Sequence, residues 1–143
     1  MTEQTPTLTP TKSPRVSGAG RTLIAVYGIL ALAATGRSVV QIIEKFDQAP
    51  LAYTLSAVSA VVYIVATVAL VVGPRASRLA WVTITFELLG VLIIGTMSVV
   101  APELFPHDTV WSHYGAGYLF VPLVLPVLGM WWLRRQGTQA PAA

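Results

Sequence analysis

Residues 79–100 read LAWVTITFELLGVLIIGTMSVV, an apolar run whose single ionisable side chain is Glu87. As a helix rising 1.5 Å per residue it is about 33 Å long, enough to cross the ~30 Å hydrocarbon layer of a bilayer. Three further runs share this character, at about Thr22 to Ile43, Pro50 to Val72 and Val110 to Leu133. The chain is therefore expected to be an all-α integral membrane protein with four transmembrane helices.

Composition points the same way. Hydrophobic residues make up 55% of the chain and charged residues 10%, against about 25% charged in soluble domains. With 143 residues, four spans and their connections fill about 21–135 and leave no second domain. The basic excess belongs to the membrane flanks, so no nucleic-acid partner is expected. The chain has no cysteine, which excludes disulfides, thiol redox chemistry and thiolate metal sites. No nucleotide loop, cofactor motif, metal-ligand spacing or catalytic triad is present, so neither an enzyme nor a cofactor is expected. The outer-loop set Glu103, His107, Asp108 and His113 could bind zinc or sense pH, but two histidines six apart match no standard ligand spacing. No metal site is assigned.

Charge placement predicts orientation. One set of flanks carries Lys12, Arg15, Arg21, Arg75, Arg78, Arg134 and Arg135, and the other carries only Lys45. Under the positive-inside rule both termini are cytoplasmic, in a multi-pass protein of the cell membrane. Trp81, Trp131 and Trp132 then mark the inner boundary, and Phe46, Tyr53 and Trp111 the outer one. A cleaved signal peptide ending near Ala31-Leu32-Ala33 is the competing reading of the first run. Residues 1–20, rich in Thr and Pro, are expected to be a disordered cytoplasmic tail with candidate Thr-Pro and Ser-Pro phosphorylation sites. A short cytoplasmic tail, 136–143, closes the chain. The connections are short, which predicts antiparallel neighbours in an up-and-down four-helix bundle.

Function has to be sought among polar residues in the spans, because an ionisable group in hydrocarbon costs several kcal/mol. Glu87 lies about 13 Å past Arg78, near the midplane, where an unpaired carboxyl is expected to hold its proton. Arg37 lies about 24 Å past Arg21, in the outer third. Three arrangements are open: separate packing roles, an Arg37–Glu87 ion pair of marginal reach, or a proton or cation site at Glu87 tuned by Arg37. Polar stripes at Arg37 and Gln41, at Ser56, Ser59, Tyr63 and Thr67, and at Thr83, Glu87 and Gly90 are expected to turn inward. The candidate polar site is therefore Arg37, Gln41, Tyr63 and Glu87. Pro122 and Pro126, which remove two hydrogen bonds from one face, are expected to kink the fourth helix.

The stretches Gly36-Arg37-Ser38-Val39-Val40-Gln41, Ala49 to Ser56, and Trp111 to Gly117 with Pro122-Leu123-Val124-Leu125-Pro126 resemble small, uncharacterised four-span integral membrane proteins of actinobacteria. The resemblance covers about 21–135 and implies location, not activity. Small multidrug transporters share this length, span number and an embedded glutamate, but theirs is in the first span and Glu87 is in the third. The function expected is a non-enzymatic accessory or scaffold subunit of a larger membrane complex, partnered by the bilayer and by a membrane protein or by itself. The alternative is a small proton-coupled transporter or lipid-handling protein working through Glu87 and Arg37.

Overall fold

The computed structural model describes residues 18–139. The expected tail and its phosphorylation sites lie almost wholly outside the described residues. Four α-helices follow in order: α1 Gly18–Lys45, α2 Pro50–Val72, α3 Ser77–Val100 and α4 Val121–Gln139. Short 3-10 turns join them, and no strand is present among the described residues.

Helix boundaries follow local chemistry. Pro50 opens α2 at a position whose amide would have no partner anyway. Gly73 closes it with φ 83°, a left-handed value glycine adopts without strain, and its N–H returns to the Ala69 carbonyl. Inside the helices, the hydroxyls of Thr54, Thr67, Thr83 and Thr96 donate to carbonyls four residues back, at 2.6 to 2.7 Å. Such back-bonding lets a polar side chain occupy an apolar surface without an outside partner.

The two ends of the molecule differ. Arg21, Arg75, Arg78 and Arg134 fall at one, the basic end; 46–49 and 101–109 form the other, the far end. Helix α1 packs on α2, α2 on α3, and α4 on α3 and α1. Alanines line these contacts, including Ala34, Ala52, Ala66 and Ala80, each at most 1% exposed. Small residues let helix backbones approach closely where no hydrophobic drive separates protein from lipid. The outward faces are as apolar as the core, with Leu32 78% and Val100 76% exposed. A soluble protein of this size would not leave so continuous an apolar surface in water.

Two helical stretches, Gly18–Gln48 and Pro50–Val100, are long and apolar enough to cross a membrane. A third candidate is the pair Ser112–Tyr118 and Val121–Gly137, bent by 96°. This last region departs from the expected continuous span over 110–133. His113, Tyr114 and Gly115 take left-handed backbone angles, as do Leu119 and Phe120. The break therefore precedes the prolines. Pro122 sits in the first turn of α4, where a missing donor costs least, and only Pro126 lies well inside the helix.

Four left-handed residues other than glycine are strained, at about 1 kcal/mol or more each. Contacts with α3 hold His113 and Tyr114 in place. A Cβ on Gly90 would come within 2.6 Å of the Trp111 ring, and one on Gly95 within 2.5 Å of Tyr114. Each glycine thus makes a notch that one aromatic side chain fills. The backbone is bonded as well: the His113 N–H donates to Ser98 Oγ at 2.8 Å and the Phe120 N–H to the Gly115 carbonyl at 3.0 Å. Thr109 and Ser112 close the start of the segment, with the Thr109 N–H donating to Ser112 Oγ at 2.8 Å.

Candidate functional site

Glu87 projects from the middle of α3 and is fully buried. Its Oε2 accepts a hydrogen bond from the Tyr27 hydroxyl at 2.7 Å, while Oε1 is buried without a partner. Tyr27 comes from α1, and its ring lies 6.4 Å from that of Tyr63 on α2, tilted by 49°. This is within the range where aromatic pairs attract. The Tyr63 hydroxyl accepts from the Trp111 indole N–H at 2.9 Å. Helix α4 closes the group through Gly129, where an added Cβ would lie 3.1 Å from Ile84 and 3.6 Å from the Tyr27 hydroxyl.

Every helix, together with the 110–120 segment, thus reaches one polar centre. Its chemistry is that of a carboxyl with a phenol at one oxygen and a second phenol, capped by an indole, close by. A carboxyl so placed can accept hydrogen bonds or hold a proton. The site contains no thiol and no nucleophile paired with a base. Among the described residues no group of three or more His, Asp or Glu side chains gathers to hold a metal ion. The loop acids and histidines are dispersed: His113 Nδ1 lies 3.7 Å from Asp108 Oδ1, and His107 stacks on Tyr53 with ring centres 5.9 Å apart.

Of the four residues expected in a common polar site, the structure brings Glu87 and Tyr63 to one centre. Arg37 and Gln41 lie elsewhere. The Arg37 guanidinium donates to the backbone carbonyl of Asp108 at the far end and makes no ion pair with Glu87. Gln41 is half-buried, with its Oε1 unpartnered. The polar stripes turn inward in part, with Ser56, Ser59, Tyr63 and Glu87 fully buried and Thr83 7% exposed, while Arg37, Gln41, Thr67 and Gly90 are half-buried.

Sequence reasoning missed Trp111, expected at the outer boundary but 2% exposed and bonded to Tyr63, and it missed Tyr27. A signal for it existed. Tyr27 lies about 9 Å past Arg21 and Glu87 about 13 Å past Arg78, and helical side chains lean toward their own N-terminus. Helices α1 and α3 run the same way, so both side chains lean alike and the two residues stay within one helical turn of a common level.

Comparison with family models, with curated proteins and with solved structures found no match for this chain.

Proposed function

We propose that the chain is a four-crossing protein of the cell membrane, both termini cytoplasmic, that serves as a non-enzymatic accessory or scaffold subunit of a larger membrane complex. The unit Pro50–Val100 is then two crossings, because 51 residues of helix would extend about 76 Å and Gly73 breaks the run between α2 and α3. The bent pair ending in α4 supplies the fourth crossing. Membership among small four-span actinobacterial membrane proteins belongs to the same proposal.

One observation carries the functional reading. Both charged side chains within the expected spans are engaged by this chain and lie apart, Glu87 on Tyr27 and Arg37 on the Asp108 carbonyl. They serve as internal ties and leave the long outward faces of the helices as the surface that meets other components.

The alternative is a small proton-coupled transporter or lipid-handling protein. The unpartnered Oε1 of Glu87 supports it, since a buried carboxyl oxygen without a donor is a place where a proton can be taken up.

The experiment is affinity capture of the tagged protein from its native membrane after mild crosslinking, with stoichiometry by mass spectrometry, for wild type and Glu87→Gln. The accessory reading expects one larger membrane complex near one-to-one, recovered equally with the variant. Capture of the chain alone, together with proton-driven uptake in vesicles abolished by Glu87→Gln, overturns it in favour of the transporter.

A further inference from the structure

Away from the Glu87 centre, toward the far end, α1 and α2 flank a groove of about 320 Å³. That is within the roughly 300–1,000 Å³ of small-molecule sites. Ala57 and Ala60 on α2 line it opposite Val39, Ile42 and Ile43 on α1, so its lining is almost wholly apolar. Thr35 Oγ1 and Ser38 Oγ both border the groove and are buried without a hydrogen-bond partner, and Ser38 is only 4% exposed.

Ile42 and Ile43 also line a second hollow of about 340 Å³, which adjoins the groove at these two residues. This hollow is polar and is formed by Glu44, Lys45, Asp47 and Gln48 at the end of α1. No ion pair among the described residues uses its charged side chains. An apolar trough thus adjoins a niche bearing two carboxylates and one ammonium, with Ser38 about 10 Å of helix from Lys45.

We propose that groove and niche together bind one phospholipid with a zwitterionic, primary-amine headgroup: an acyl chain in the groove, the phosphate at Lys45 and the amine at Glu44 and Asp47. Charge complementarity selects this occupant. The niche carries a net negative charge, so an anionic headgroup is disfavoured, whereas a zwitterion meets both signs. A primary ammonium donates hydrogen bonds to carboxylates and a trimethylated one cannot. A second copy docked by two-fold symmetry would bring two negative niches together.

The inference rests on the membrane part of the reading above and not on the accessory role, so the two fail separately. Carbonate-resistant insertion of the reconstituted chain into liposomes tests the membrane premise. The inference itself is tested by native mass spectrometry of the purified full chain in detergent with equimolar dioleoyl phosphatidylethanolamine, phosphatidylcholine and phosphatidylglycerol. Wild type is expected to retain phosphatidylethanolamine roughly three- to five-fold over phosphatidylglycerol. Glu44→Lys combined with Asp47→Lys is expected to invert the order, whereas the same charge change outside the niche, Glu103→Lys combined with Asp108→Lys, is expected to leave it as in wild type. Lys45→Ala is expected to lower retention of phosphatidylethanolamine. Equal retention of phosphatidylethanolamine and phosphatidylcholine, a preference for phosphatidylglycerol in wild type, no change in Lys45→Ala, or a lipid-free dimer each overturns the proposal.

Discussion

Two regions lie toward the same far end of the molecule and solve the problem of polar groups in opposite ways. On one side the 110–120 segment abandons helix, yet its polar groups find partners: Trp111 with Tyr63, His113 with Ser98, Tyr114 with Thr96, Thr109 with Ser112. On the other side α1 and α2 are regular helices, yet Thr35, Ser38, Gln41 and Ser56 each keep a buried polar atom without a partner. Irregular backbone exposes amides and carbonyls and is tolerated at membrane depth only when the protein satisfies them. A regular helix satisfies its own backbone, so its side chains are free to remain unsatisfied until something else arrives. The irregular region is therefore the finished one, and the regular pair is, on the proposal above, the one prepared for an occupant.

That contrast can be broken most forcefully at Trp111. Trp111→Ala removes a buried ring from the Gly90 notch and strips Tyr63 of its donor. It is expected to cost about 3–5 kcal/mol, read by denaturant unfolding in mixed micelles. A cost below about 1 kcal/mol would show that the segment is not locked onto α3. Next comes Gly95→Ala, whose methyl would stand 2.5 Å from the Tyr114 ring and 2.9 Å from its backbone nitrogen. Because a backbone atom cannot swing aside, a loss of about 1–3 kcal/mol is expected in the same assay.

How far this was legible in the sequence depends on the kind of interaction. The helical runs were plain because hydropathy sums over many residues, and the ends at Pro50 and Gly73 because each residue has one dominant backbone preference. The inward turn of Glu87 was legible from the cost of exposing it to lipid. The left-handed turn was not: His113, Tyr114, Leu119 and Phe120 have no intrinsic reason to leave the helix. The reason lies in notches at Gly90 and Gly95, which become partners of Trp111 and Tyr114 only once α3 is beside them. The Arg37 contact was hidden for a different reason, since its acceptor is a backbone carbonyl and any residue at position 108 presents one.

A smaller effect separates the inner centre from both far-end regions. Tyr27→Phe removes the hydroxyl that binds Glu87 and keeps the ring. A loss of about 0.6 to 2 kcal/mol is expected, the range of hydrogen bonds between membrane helices. A double-mutant cycle with Glu87→Gln should show coupling of the same size, and additive losses would mean that the pair contributes packing alone. The smallest effect is expected at Ser38→Ala. Its hydroxyl has no partner in the isolated chain, so unfolding stability should change by no more than about 0.5 kcal/mol. A loss above about 1 kcal/mol would erase the distinction between a finished side and a prepared one.

The backbone break at Leu119 and Phe120 also bears on how the chain is made. Beyond it, the apolar part of α4 from Val121 to Leu133 extends only about 20 Å, short of the ~30 Å that a self-sufficient span requires. During synthesis this stretch is expected to be a poor substrate for the insertion machinery by itself and to enter the bilayer only alongside α3, whose glycine notches receive Trp111 and Tyr114. A glycosylation reporter placed after Gly137 checks this. Efficient insertion of residues 110–137 on a neutral carrier, without α3, would show that entry of this stretch is written in its own sequence and owes nothing to its neighbour.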